Sequence, residues 1–117
     1  MKLKRTTALV LVAACMAMSA TQVFAGYGTG TVGSVLVGRQ GYQVYVQLTG
    51  ASFSGFYCGT PNPNSWQWSF STQTQSGRDM LATVLAAKAS GGTLQIVGLN
   101  SCSQDSTLED VSYVVAY

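Results

Sequence analysis

Histidine is absent from the 117 residues, and only 9% of them are charged. The first absence excludes Ser-His-Asp and Cys-His nucleophilic sites and any metal centre built on imidazole. Proline occurs only at positions 61 and 63, and cysteine only at 15, 58 and 102. With no fourth thiol and no imidazole, a four-ligand zinc site has nothing to complete it. Beyond the first 25 residues no apolar run approaches the roughly 20 residues that a spanning helix needs.

What stands at the start sets the compartment. Lys2, Lys4 and Arg5 form a basic head, Ala8 to Met18 an apolar stretch, and Val23-Phe24-Ala25 a small-residue cleavage signal. This is the plan of a signal peptide, residues 1–25, with cleavage after Ala25 leaving Gly26 first in the mature chain. A second cut is also readable, since Val12-Ala13-Ala14-Cys15 resembles a lipobox and would make a lipoprotein anchored at Cys15. That cut leaves Met16-Ala17-Met18 directly after the lipid instead of a polar tether, so the ordinary signal is preferred. A secreted or periplasmic location follows from either.

Removing the signal reverses the sign of the charge. Arg39, Arg78 and Lys88 then face Asp79, Asp105, Glu109 and Asp110, a net charge of −1. Nucleic-acid binding loses its electrostatic basis. Residues 26–117 form one domain, small enough that its core alone is marginal. Cys58 and Cys102 are the only cysteines left, and in an oxidising compartment they are expected to form a disulfide.

The hydrophobic period is mostly two. Val44, Val46 and Leu48 alternate with Gln43, Tyr45, Gln47 and Thr49 from Tyr42 to Thr49, predicting a half-buried strand. Thr31 to Val37 is its partner across a tight Gly38-Arg39-Gln40-Gly41 turn. Trp66, Trp68 and Phe70 are expected to share one face of a third strand. Leu94 and Ile96 mark a fourth, and Val111, Tyr113, Val115 and Tyr117 a fifth. Between the third and fourth strands a helix is predicted over 77–90, capped by Ser76 with Asp79 closing a capping box, and ended by Gly91-Gly92. Met80, Leu81, Val84 and Leu85 make its apolar stripe. Its other side, Ala82, Thr83, Ala86, Ala87 and Ala89, is small. Either alanine serves there as the best helix former, or a neighbouring subunit packs on Ala82, Ala86 and Ala89. The glycine-rich Gly26 to Gly33 segment lacks the lysine of a phosphate loop and is expected to be a flexible leader.

The expectation is a mainly β fold with one helix, ordered β-β-β-α-β-β and closed by one disulfide: a five-stranded OB-fold-like Greek-key barrel. The run Trp66 to Thr72, with Gly77-Arg78-Asp79-Met80-Leu81-Ala82, Leu85 to Gly91, Cys102 and Leu108 to Tyr113, resembles small secreted proteins related to the B subunits of AB5 toxins. The likeness is to the subtilase-cytotoxin and pertussis-like kind and covers roughly the C-terminal half of the chain. It implies a homo-oligomeric, pentamer-like ring with helices around a pore, glycan receptors bound at the barrel surface, and an exported enzyme subunit as companion. No glycan-contact residue carries over to a numbered position.

Candidate chemistry is sparse. Asp79, Asp105, Glu109 and Asp110 show no paired-carboxylate spacing, and Glu109 and Asp110 are neighbours that a strand points to opposite faces. A non-enzyme is expected, with no catalytic residue, no metal and no cofactor. The loop from Ser52 to Ser65 offers the best surface, where Phe53, Phe56, Tyr57 and Trp66 surround Thr60-Pro61-Asn62-Pro63-Asn64. Aromatic faces beside amides suit sugar rings, which singles out Phe56, Tyr57, Asn62, Asn64 and Trp66. The alternative is that these aromatics plug one end of the barrel. Two readings result: a binding module for a glycan or cell-surface receptor, or a structural or inhibitory protein acting by protein contact.

Overall fold

The computed structural model describes residues 25–55, 58 and 65–117. Residues 1–24 of the expected signal peptide, with the Cys15 alternative, lie outside these residues, as do Phe56, Tyr57, Asn62 and Asn64. Five strands and one helix follow in the order β1 (Tyr27–Arg39), β2 (Gln43–Ser54), β3 (Trp68–Ser71), α1 (Gln75–Ser90), β4 (Thr93–Gly98) and β5 (Glu109–Ala116). The strands close a hydrogen-bonded ring, β1-β2-β3-β5-β4, in which only the β3–β5 pair is parallel.

Closure depends on β1, whose first residues pair with β4 while its whole length pairs with β2. Register shifts against β2 between Thr29 and Thr31, Val32 and Ser34, and Val37 and Arg39 bend it around the ring. The glycines of this segment therefore do not make a flexible leader; residues 27–33 are strand. A Cβ on Gly30 would stand 2.8 Å from the Thr49 carbonyl oxygen, and one on Gly33 would stand 2.6 Å from Thr49 Cγ2. Glycine permits close approach of a backbone at position 30 and of the Thr49 side chain at position 33.

Val44, Val46, Leu48, Trp68, Leu94 and Ile96 are fully buried inside the ring, each stabilising by about 1.5–3 kcal/mol or more. Two expected alternations are corrected. Trp66 precedes β3 and leaves the Trp68–Phe70 face, its ring meeting Tyr45 edge-on. On β5 the ladder skips Ser112, since Val97 pairs with Tyr113 but Gly98 with Val111. That irregularity switches the parity: Val111 and Val114 pack on the core while Tyr113 and Tyr117 are exposed.

The helix starts earlier than Ser76. Thr74, with extended backbone, is the cap, and its hydroxyl accepts from Gly77 N at 3.0 Å. Asp79 closes no capping box; it accepts from the Gln75 side chain at 2.8 Å. The reason lies in packing, because Gly77 sits directly on the Ser71 carbonyl, where any Cβ would collide. That contact fixes the first turn immediately after β3. Gly91, at φ 69°, ends the helix with its N–H and that of Gly92 directed at Lys88 and Ala87 carbonyls. The inward stripe is Gly77, Val84 and Ala87, with Met80 and Leu81 half-buried against the core. Leu85 is 44% exposed and Ala87 is buried, so those two exchange the roles expected of them. Ala82, Ala86 and Ala89 are exposed.

Cys58 and Cys102 are bonded, with Cα atoms 5.9 Å apart and a sequence separation of 44. By loop entropy such a bond stabilises by about 4 kcal/mol. It ties the β2–β3 connection to the β4–β5 loop.

Candidate functional site

The β4–β5 loop, residues 99–108, folds over the outer face of β2, β3 and β5. Register places Tyr45 opposite Ser69, Gln43 opposite Ser71, and Ser69 opposite Asp110. In an isolated sheet this polar face would be wet, as the alternation along Tyr42 to Thr49 suggested. Here Gln43, Tyr45, Ser69 and Asp110 are all buried.

Asp110 organises the loop. Its Oδ2 accepts from Ser101 Oγ at 2.7 Å, Ser103 Oγ at 2.6 Å and Ser103 N at 2.8 Å, and its Oδ1 from Gln104 N at 3.0 Å. Burial works against its charge, yet these donors outweigh burial and hold the carboxyl below the usual carboxylate range. A second anchor lies beside it. Gln43 Nε2 donates to the Gln104 carbonyl at 2.7 Å, and Tyr45 Oη donates to Asp105 Oδ2 at 2.5 Å. The Tyr45 bond, then Thr107, lowers the Asp105 pKa; burial, then Asp105, raises that of Tyr45. Arg39 lies 5.1 Å from the Tyr45 ring centroid, and the Trp66 ring stands 6.3 Å from it at 65°.

Between this loop, β3, β5 and the first turn of α1 is a pocket of about 270 Å³. Ser69, Ser71, Thr74, Ser76, Ser103, Ser112, Gln104 and Asp110 make up its polar lining, and Phe70, Met80, Leu99 and Val111 supply apolar surface. Ser69 is fully buried and its hydroxyl has no hydrogen-bond partner. A buried orphan hydroxyl costs about 1–3 kcal/mol, a cost that a ligand could recover only if the covering loop shifts to expose it.

Of the residues singled out from sequence, Trp66 flanks this face through Tyr45, whereas Phe53 packs against the core beside Gly28. Ala82, Ala86 and Ala89 lie on α1, outside the pocket lining. Glu109 and Asp110 serve separate hydrogen-bond sets: Glu109 accepts from Gly26 N and Asn100 N, and Asp110 from the serine loop. Among the described residues no three His, Cys, Asp or Glu side chains cluster as metal ligands, and no helix is long and apolar enough to cross a membrane. Sequence reasoning missed the pocket and the role of Asp110. The available signal was Ser101-Cys102-Ser103-Gln104-Asp105, a turn-forming composition next to a strand that begins with two carboxylates.

No protein-family model, curated protein or solved structure matches the chain.

Proposed function

We propose that the chain is an exported, non-catalytic binding module of OB-fold type that takes a glycan in the pocket beneath the β4–β5 loop. The ring order β1-β2-β3-β5-β4 with a helix between β3 and β4 supports the fold assignment. OB-folds bind oligosaccharides and oligonucleotides on the face of strands 2 and 3, beside the loop joining strands 4 and 5. The pocket here shares β3 and that loop with such a site, while β5 and α1, and not β2, complete its wall. Its wall carries hydroxyl and amide groups that both donate and accept, over apolar patches, and it holds no lysine or arginine. Such a lining suits a neutral or weakly charged sugar better than a phosphate.

The observation that carries the reading is the unpartnered Ser69 hydroxyl, buried beside the pocket, which a shift of the covering loop would open to a ligand. A glycan array identifies the sugar, and Ser69→Ala is expected to weaken its binding by roughly tenfold, the equivalent of one hydrogen bond of about 1.4 kcal/mol. Full-strength binding by Ser69→Ala and by Ser112→Ala together would remove the pocket from the reading. The resemblance to toxin B subunits adds a homo-oligomer built on Ala82, Ala86 and Ala89, and a partner enzyme subunit. Sedimentation of the exported protein tests the ring; a strict monomer at tens of micromolar overturns it.

A further inference from the structure

The most unusual group in the molecule lies away from the pocket. Glu109 is 1% exposed. Its Oε1 accepts two backbone N–H groups, from Gly26 at 2.9 Å and Asn100 at 3.0 Å, while its Oε2 is buried with no partner. Space for this carboxyl is built in, because a Cβ on Gly98 would run into it. The cations of the described residues are engaged elsewhere: Arg39 over Tyr45, Arg78 at Thr72 and Gln75, Lys88 at the Gly33 carbonyl. In the uncut chain, burial first and then Asp110 push the Glu109 pKa up, against the two backbone bonds. A buried carboxylate served at one oxygen only is an expensive arrangement.

Gly26 is the residue that the sequence marks as first in the mature chain. It is buried, and its carbonyl accepts from Gly98 N at 2.7 Å, so its nitrogen is held in place on Glu109. In the uncut chain that nitrogen is an amide with one hydrogen. We propose that removal of the export signal completes the fold: cleavage between Ala25 and Gly26 turns this amide into an α-ammonium that forms a buried ion pair with Glu109. The inference rests on the export reading. Water adds across the peptide bond in the active site of a signal-removing peptidase. The Ala25 carbonyl carbon gains the hydroxyl and becomes a carboxylate. The Gly26 nitrogen leaves as an amine and is protonated at neutral pH, since a free α-amine titrates near 7.7–8.0. The ammonium brings a positive charge and two further hydrogens to within reach of the carboxyl, enough to serve the orphan Oε2. Glu109 is thus a receptor for the new N-terminus, and Gly98 leaves the space that its carboxyl occupies.

Among the described residues every strand, the helix and the two bonded cysteines lie within Gly26–Tyr117. Two proteins released from a cleavable fusion, one starting at Gly26 and one at Ala25, each with Glu109 or Glu109→Gln, form a double-mutant cycle. In the wild type the Gly26 start should have the higher urea midpoint. Glu109→Gln should lower the midpoint of the Gly26 chain, where it strands a buried ammonium, and leave unchanged or raise that of the Ala25 chain. The α-amine of the Gly26 chain should also be acylated at pH 7 at least about tenfold more slowly than after Glu109→Gln, the effect of raising its pKa by one unit or more. Equal midpoints for the two wild-type starts, together with an ordinary acylation rate, overturn the ion pair even if Glu109→Gln fails to fold. Intact mass of the exported full-length product tests the cut separately. A first residue other than Gly26 overturns the processing step while leaving the ion-pair measurement valid.

Discussion

The two faces of β2 and β3 are both buried, but by different means. Inside the ring, Val44, Val46, Trp68 and Phe70 are packed by apolar neighbours. Outside it, Gln43, Tyr45 and Ser69 are covered by a loop held through hydrogen bonds to Asp110, Tyr45 and Gln43. Packing is indifferent to direction and leaves nothing wanting. Hydrogen bonding is directional, so covering a polar face leaves a residue unsatisfied wherever a partner does not fit, as at Ser69. The inner face therefore sets stability, and the outer face is where a ligand has something to gain.

The inner face should break the molecule first. Trp68→Ala deletes the largest fully buried side chain and is expected to cost about 3–5 kcal/mol, measured by urea denaturation. A loss below about 1 kcal/mol would mean that the ring is not packed on this residue.

Next comes the organiser of the outer face. Asp110→Asn keeps the shape but replaces a carboxylate that four donors serve, and is expected to cost about 2–3 kcal/mol. The pH dependence has a definite sign. The folded carboxyl is held below its unfolded value of about 3.9, so its contribution is complete above that value and is lost as the pH falls through the folded one. The wild type should therefore lose more stability than Asp110→Asn on acidification below about pH 4. In the uncut chain Glu109, pushed up by burial and then by Asp110, works in the opposite sense, and its burial part is common to both proteins. Parallel profiles would show that Asp110 does not anchor the loop as an anion.

A smaller effect should come from the second anchor. Tyr45→Phe removes the hydroxyl that is the largest cause of the lowered Asp105 pKa, at a cost of about 1–2 kcal/mol. Asp105 should titrate closer to its ordinary value, which carbon-detected NMR of its carboxyl reads directly. Thr107 continues to donate to its Oδ1 from both N and Oγ1, so the shift should be partial.

The inner face was largely legible in the sequence, because strict alternation at Val44, Val46 and Leu48 has only one physical reading. So was the Cys58–Cys102 disulfide, expected from the two cysteines that follow the predicted export signal. Parity on β5 was not, since the irregularity at Ser112 leaves no mark in composition. Nor was the outer face. Gln43, Tyr45 and Ser69 read as solvent-facing until a loop more than 30 residues later in sequence is brought over them, and only tertiary closure does that. The glycine-rich start misled for a related reason, since the missing side chain makes room for a backbone at Gly30 and for the Thr49 side chain at Gly33, and does not serve mobility.

The smallest effect tests the inside–outside distinction on α1, where sequence put Leu81 and Leu85 together on the core side. Leu81 is half-buried against the core, whereas Leu85 is 44% exposed. Truncation costs stability through lost burial and the cavity left behind, and an exposed side chain leaves little of either. Leu81→Ala should then cost about 2 kcal/mol and Leu85→Ala about 0.5 kcal/mol or less. Alanine's better helix propensity changes this little, because leucine is nearly as good a helix former. Urea midpoints of the two variants at dilute protein decide it. Equal, large losses would rotate α1 about its axis and turn Leu85 inward. A loss at Leu85 that grows with protein concentration would place this side chain in a contact between copies of the chain, next to the exposed Ala82, Ala86 and Ala89.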